Sequence, residues 1–67
     1  MAPQDIPQGW AILTLHDGKP IGGYVEVVHH ADGRVEVQLM RRGFITYCNP
    51  QHIVAARMCS EEEALET

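Results

Sequence analysis

Short apolar stretches rich in β-branched and aromatic residues recur along the chain, separated by Gly, Pro and Asp-Gly turn signals. The clearest lies at residues 35–39, where Val35, Val37 and Leu39 alternate with Glu36 and Gln38. Successive side chains of a strand point to opposite faces, so this spacing of two places the apolar residues on one face. The pattern predicts a β-strand with one buried face.

Four further stretches have the composition of strands, and we predict strands over residues 10–15, 21–30, 35–39, 44–48 and 53–58. The Asp-Gly pairs that end at Gly18 and Gly33 suit the positive φ of tight hairpin turns, and residues 41–43 predict another turn. Residues 49–52 contain a proline and predict a tight turn or one turn of 3₁₀ helix. Ser60 and Glu63 have the spacing of a capping box, which predicts a short C-terminal helical turn.

Five strands joined by short turns leave no room for βα crossovers, so we predict an all-β fold with a strongly bent antiparallel sheet. Closing such a sheet into a small barrel of Sm-like or SH3-like type would bury one face and reduce the exposed edges. Gly22 and Gly23 are expected at the bend. The predicted core consists of Ile12, Leu15, Val25, Val27, Val35, Val37, Leu39, Ile45 and Ile53.

With 67 residues the chain has the size of one domain. We expect an extended lead-in at residues 1–9, the barrel at residues 10–59 and an acidic tail at residues 60–67. Four of the nine acids lie in this tail, so residues 1–59 carry five acids and five bases and are neutral. No apolar run is long enough to span a membrane and no basic targeting segment begins the chain, so we expect a cytoplasmic protein with no membrane partner.

Residues 10–58 resemble the Sm-like family, including its bacterial Hfq-like branch. The likeness lies in the apolar stretch at residues 10–15, the turn residue Gly18, and Gly23 five positions later. It continues where Tyr47 is followed by a short polar turn with His52 and by a last strand that begins at Ile53. The resemblance implies a ring-forming RNA-associated protein, in which Gln51 and His52 would contact a nucleotide.

The remaining candidate residues are basic and aromatic. Arg41 and Arg42 are the single adjacent basic pair of the chain. Of the four aromatic residues, Trp10 and Phe44 are expected to close the ends of the core, and the tyrosines Tyr24 and Tyr47 are expected to stay half exposed. The set of residues predicted to bind RNA or a protein partner is Tyr24, Arg41, Arg42, Tyr47, Gln51 and His52.

Histidine and cysteine are present, but their spacing does not suit a metal. Residues His29 and His30 are adjacent on a strand and point to opposite faces, and Cys48 and His52 lack a second paired motif. Cys48 and Cys59 are expected to act as small, partly buried apolar residues. We predict no metal and no cofactor.

No motif places a nucleophile beside a base, so the sequence predicts no catalytic residue. The leading hypothesis is a non-enzymatic oligomeric module that assembles through its strand edges and acts as an RNA-associated regulatory adaptor. The alternative is an SH3-like protein–protein interaction module that binds no nucleic acid. An enzyme whose active site is a pore shared between subunits is the third class.

Overall fold

The computed structural model describes residues 5–67, so the first four residues of the predicted lead-in lie outside the described part. Five strands and one helix follow in the order β1, β2, β3, β4, a 3₁₀ turn at Pro50–His52, β5 and α1. Their bounds are Gly9–Leu15, Pro20–His29, Val35–Arg41, Phe44–Cys48, Ile53–Met58 and, for α1, Glu61–Glu66. Among residues 5–67 there is no helix long and apolar enough to cross a bilayer.

The predicted all-β class and antiparallel sheet are confirmed. All strand pairs are antiparallel, and the strand order is β4-β3-β2-β1-β5. The sheet is not closed, because β4 and β5 are its two edges and do not pair with each other. The sheet nevertheless curls, since the 3₁₀ turn that leads into β5 contacts β3 from across the sheet. The predicted barrel is therefore open.

The core lies on one face of this curled sheet. Its cluster combines Leu13 of β1, Val25 of β2, Val37 and Leu39 of β3 and Ile53 of β5, all fully buried. Ala11 and Ile6 complete it. Complete burial of each of these branched side chains stabilises the fold by roughly 1.5–3 kcal/mol relative to leaving it exposed.

Several predicted core positions are wrong. Ile45 is half exposed and Phe44 is exposed, because β4 is an edge strand with a neighbour on one side only. Leu15 and Val27 are half-buried and pack against the core cluster as predicted, whereas Val35 is half-buried outside it. Leu13 is not among the predicted core residues. Consecutive positions of β1 are apolar, so alternation does not show which of its two faces packs against the core.

The helix α1 packs on the sheet face opposite the core, which we call the outer face, over β2 and β1. It begins as the capping box predicts, with the Oγ atom of Ser60 accepting a hydrogen bond from the Glu63 amide at 3.1 Å. Ala64 of α1 is buried where the helix meets the sheet. Ile12 of β1 is also buried, but it is not part of the core cluster on the other face. Ile12 and Ala64 therefore form a second, smaller apolar contact.

Close packing explains the two adjacent glycines of β2. A Cβ atom on Gly22 would collide with the carbonyl oxygen of Ala64 and lie 2.9 Å from its Cα atom. A Cβ atom on Gly23 would lie 2.6 Å from the carbonyl oxygen of Met40 and 2.7 Å from a methyl group of Leu39. Real Cβ atoms do not approach other atoms this closely. Gly22 therefore allows the backbone of α1 to contact β2, and Gly23 allows β3 to do so.

The hairpin between β3 and β4 is tighter than predicted, because Arg41 is the last residue of β3 rather than part of the turn. Arg41 pairs with Phe44, and the two loop residues Arg42 and Gly43 both have positive φ, at 49° and 84°. Positive φ at both central residues is the geometry of a type I′ turn. Because the turn needs only two residues, β3 continues two residues beyond the predicted strand, and Arg41 lies in a paired strand rather than in a turn.

We expect Gly22→Ala to lower the free energy of unfolding by about 1–3 kcal/mol, because the new methyl group must displace α1 from the sheet. Urea denaturation measures this change, and the amide NMR shifts of Ala64 and Leu65 should move. Gly18→Ala is the control: Gly18 has φ of 84° but no neighbour within 4 Å, so its strain should leave the α1 amides in place. Unchanged stability in Gly22→Ala would contradict the close contact.

Candidate interaction surface

An apolar row crosses the outer face of the sheet beside α1. Trp10 of β1 lies opposite Tyr24 of β2, Tyr24 lies opposite Met40 of β3, and Met40 lies opposite Ile45 of β4. We call these four residues the outer row. The Trp10 and Tyr24 rings meet edge to face, with centroids 5.6 Å apart and planes at 87°. This arrangement is favourable for aromatic pairs and fixes one end of the row.

The strand β4 is exposed along most of its length. Phe44 is 77% exposed, Tyr47 is 62% exposed and Ile45 is 50% exposed. Cys48 packs against the core, so Tyr47 and Ile45 point to the outer face and Phe44 to the opposite one. The structure therefore brings two predicted site residues, Tyr24 and Tyr47, to the same face of the sheet.

The Arg41 guanidinium group fastens α1 to the sheet. Its Nη1 atom donates to the carbonyl oxygens of Gly22 at 3.1 Å, Ala64 at 3.1 Å and Thr67 at 2.9 Å. Its Nη2 atom donates to the carbonyl oxygen of Leu65 at 2.8 Å. Carbonyl groups at the end of a helix lack intrahelical partners and carry partial negative charge, so a cation is favourable there.

The other arginines also bind groups of their own chain. Arg42 donates to the Leu65 carbonyl oxygen at 3.1 Å, and Arg34 pairs with the Asp32 carboxylate at 2.8 Å. Arg57 of β5 pairs with Glu63 of α1 at 2.7 Å. Each of the four arginine side chains thus has a protein partner, so binding a phosphate would require an existing contact to be broken or shared.

These contacts alter the acidity of the exposed carboxylates. The hydrogen bond and the charge of Arg57 hold the pKa of Glu63 below its usual range. The pKa of Asp32 is also lowered, first by the hydrogen bond from the Arg34 backbone amide and then by the Arg34 side chain. Both carboxylates are therefore charged at neutral pH.

Gln51 and His52 lie in the 3₁₀ turn, in a different setting from the tyrosines. Asn49 caps this turn, with its Oδ1 atom accepting from the Gln51 amide at 2.9 Å. The His52 carbonyl oxygen accepts from the His16 amide at 2.8 Å, and the two imidazole rings are 4.8 Å apart. His16 was not predicted as a neighbour, because only the pairing of β1 with β5 brings the two turns together.

The six predicted binding residues therefore occupy three settings. Tyr24 and Tyr47 lie on the outer face, the two arginines contact α1, and Gln51 and His52 lie in the 3₁₀ turn, where the His52 ring is next to that of His16. The prediction that Trp10 closes an end of the core is wrong, because Trp10 lies half-buried on the outer face, opposite Tyr24.

Other potentially reactive groups do not converge. Among residues 5–67, no three His, Cys, Asp or Glu side chains lie together as a metal site would require, and no pocket is found. Cys48 and Cys59 are half-buried free thiols, and burial raises the pKa of the Cys48 thiol. The Nε2 atom of His30 lies 3.5 Å from a carboxylate oxygen of Glu36, which is longer than a close hydrogen bond.

We expect Arg41→Lys to lower the free energy of unfolding by about 1–3 kcal/mol, because an ammonium group cannot reach the carbonyl groups of β2 and α1 together. Thermal unfolding measures the loss, and hydrogen exchange should show faster exchange of the α1 amides. Arg34→Lys is the matched control, since Arg34 contacts only the neighbouring turn. Equal effects of the two variants would contradict the role of Arg41.

The stabilising contribution of Glu63 should depend on pH. Its pKa is lower in the folded state, so the contribution is fully present above the ordinary glutamate pKa and is lost as pH falls through the lowered value. Urea denaturation should show wild type more stable than Glu63→Gln at pH 7, and the difference should vanish once the pH has fallen below the lowered pKa of Glu63. A difference in stability that persists in acid would contradict the ion pair. The lowered pKa of Asp32 does not affect this comparison, because both proteins contain Asp32.

The chain was compared with protein-family models, with curated proteins and with solved structures, and none of the three comparisons found a match. The Sm-like resemblance drawn from glycine spacing therefore stays a prediction, and the geometry above carries the functional argument.

Proposed function

We propose that this chain is a non-enzymatic protein-interaction module that associates with copies of itself through the edge strand β4. The observation that carries this proposal is the exposure of Phe44, Ile45 and Tyr47 on a strand with a free edge. An edge strand presents unpaired backbone donors and acceptors to any strand that can approach it. The cytoplasmic location expected from the sequence remains part of the proposal.

The β4 edge lacks the features that keep strand edges apart. Its five residues, Phe-Ile-Thr-Tyr-Cys, include no charge and no proline, and its pairing with β3 is regular. Soluble proteins usually protect such edges with lysine, proline or a bulge. An apolar edge that is retained without these features is suited to pairing with another strand.

The opposite edge is less suited to pairing. The register between β1 and β5 shifts at Thr14 and Leu15, which leaves Val54 as an extra residue in β5. Such bulges twist an edge and interrupt its ladder, and the charged Arg57 adds a second obstacle. We therefore propose that β4 pairs with β4 of a second copy across a two-fold axis, which gives a closed dimer.

An RNA-associated adaptor, the function implied by the Sm-like resemblance, has less support. RNA affinity depends on cations that neutralise phosphates, and all four arginines already contact carbonyl or carboxylate oxygens of the chain. The exposed tyrosines could stack on bases, but aromatic residues are equally suited to a protein interface. RNA binding is accordingly an alternative that the following experiment tests.

We expect Ile45→Lys to weaken self-association by about tenfold or more, because a lysine on an edge strand opposes the pairing of that edge with another strand. Light scattering coupled to size exclusion gives the mass at several protein concentrations. The matched control is Val54→Lys, which places the same charge at a similarly exposed position of the other edge strand. Circular dichroism establishes that both variants are folded.

Wild type and Val54→Lys should run as dimers, and Ile45→Lys as a monomer. Loss of association in both variants would overturn β4–β4 pairing in favour of head-to-tail contact between β4 and β5. A monomeric wild type would overturn self-association altogether. A uridine-rich RNA added to the same runs tests the alternative, which requires a mass increase that declines with salt and in Arg42→Ala.

A further inference from the structure

We propose that the outer row is a docking site for a basic amphipathic segment of a partner protein. This inference rests on the proposed function as a protein-interaction module, but it concerns side chains on the outer face of the sheet rather than the backbone edge of β4, and Ile45 is the residue that the two surfaces share. The segment would place apolar side chains on Tyr24 and its neighbours and would direct lysine or arginine side chains toward the carboxylates beside the row.

The row supplies the apolar part of the site. Its members lie on adjacent strands, so the row runs across the sheet for about 14 Å, the sum of three interstrand spacings. A helix of about ten residues has this length. Tyr24 is 41% exposed although it lies on a central strand, and its ring is held by Trp10. Aromatic side chains held in place before binding are common anchors of protein interfaces.

The acidic residues beside the outer row favour a basic binding partner. In the next row of the outer face, Glu26 lies opposite Gln38, which lies opposite Tyr47. The row beyond it contains Glu36 opposite Val28. Glu26 is exposed, and no lysine or arginine occupies either row in the described part of the chain. The carboxylate of Glu36 has the His30 ring beside it, with the Nε2 atom at 3.5 Å, so Glu26 is the carboxylate on this side that is open to a basic partner.

The opposite side of the outer row is bounded by α1, which is also acidic. Glu61, Glu62 and Glu66 are exposed, while Glu63 is paired with Arg57. Arg41 and Arg42 contact the carbonyl groups at the last turn of the helix, and Arg57 contacts Glu63 at its first turn. Each of these three cations therefore already has an oxygen partner within the chain, whereas Glu61, Glu62 and Glu66 are exposed carboxylates.

This charge distribution favours a basic peptide over the other occupants. A second copy of this chain carries a net charge of −4, so its acidic faces would repel one another. An RNA phosphate would be repelled by Glu26 and Glu36. A lysine or arginine would be attracted to them and could also lie against the tyrosine rings in a cation–π contact.

The test uses a synthetic helical peptide with leucine on one face and lysine on the other, without tryptophan. A helix cannot add a strand to the β4 edge, so its binding reports on the face of the sheet. Trp10 is the only tryptophan of the chain and belongs to the row, so its fluorescence reports occupancy of this site. The counterpart peptide has glutamate in place of lysine, and a uridine-rich RNA is titrated in parallel.

We expect the lysine peptide to shift the Trp10 emission and the glutamate peptide to leave it unchanged. Glu26→Gln should weaken lysine-peptide binding about twofold to fivefold, the effect of one exposed charge pair. Asp17→Asn is the matched control, because it removes the same charge from a distant turn and keeps the oxygen that accepts from the Lys19 amide. It should bind like wild type.

The apolar part has its own pair of variants, read by the anisotropy of a fluorescently labelled peptide. Tyr24→Ala should weaken binding about tenfold or more, whereas Val54→Ala, which shortens an exposed apolar side chain on the distant edge strand β5, should have no effect. The proposal is overturned if the glutamate peptide binds equally, if each control matches its test variant, or if RNA alone shifts Trp10. Mass measured on the same samples separates this result from self-association, since a monomer that binds the peptide would refute only the edge pairing.

Discussion

The arrangement of this domain depends on the contact between Arg41 and the carbonyl groups at the end of α1. A six-residue helix is too short to be stable alone, because nucleation costs more than so few hydrogen bonds return. The helix therefore depends on its docking to the sheet. The guanidinium group joins the backbone of β2 to three carbonyl groups at the end of the helix, and Gly22 lets the two backbones meet. The strand β2 and the helix α1, which are far apart in sequence, are thus held together on the outer face of the sheet.

This use of arginine determines the character of the exposed surface. Arg41 and Arg42 stabilise the helix end, and Arg57 neutralises Glu63 at its other end. The remaining outer face carries the aromatic residues Trp10 and Tyr24 together with the exposed carboxylate of Glu26. A chain of this composition could have displayed its arginines to a polyanion, but the fold places them against its own carbonyl and carboxylate oxygens. That placement favours a protein partner over a nucleic acid.

Much of the fold could be predicted from the sequence, because hairpins are local. Strand positions followed from alternation and Asp-Gly turns, and the helix start followed from Ser60 and Glu63. The apolar stretch of β1 could not be oriented, since Ala11, Ile12 and Leu13 are all apolar and both faces are covered. The role of Arg41 was also out of reach: its partners lie 19 to 26 positions away, and no local pattern encodes such contacts.

The edge and the outer row are linked through β4, which contributes Ile45 and Tyr47 to the outer face. Two antiparallel strands that pair in one sheet are related by a two-fold axis perpendicular to that sheet. Pairing of β4 with its copy would therefore place both outer faces on the same side of a continuous sheet, with the two rows approaching each other across the axis. A partner carrying two basic segments could then engage both rows, and the gain in affinity would come from effective concentration rather than from any new contact.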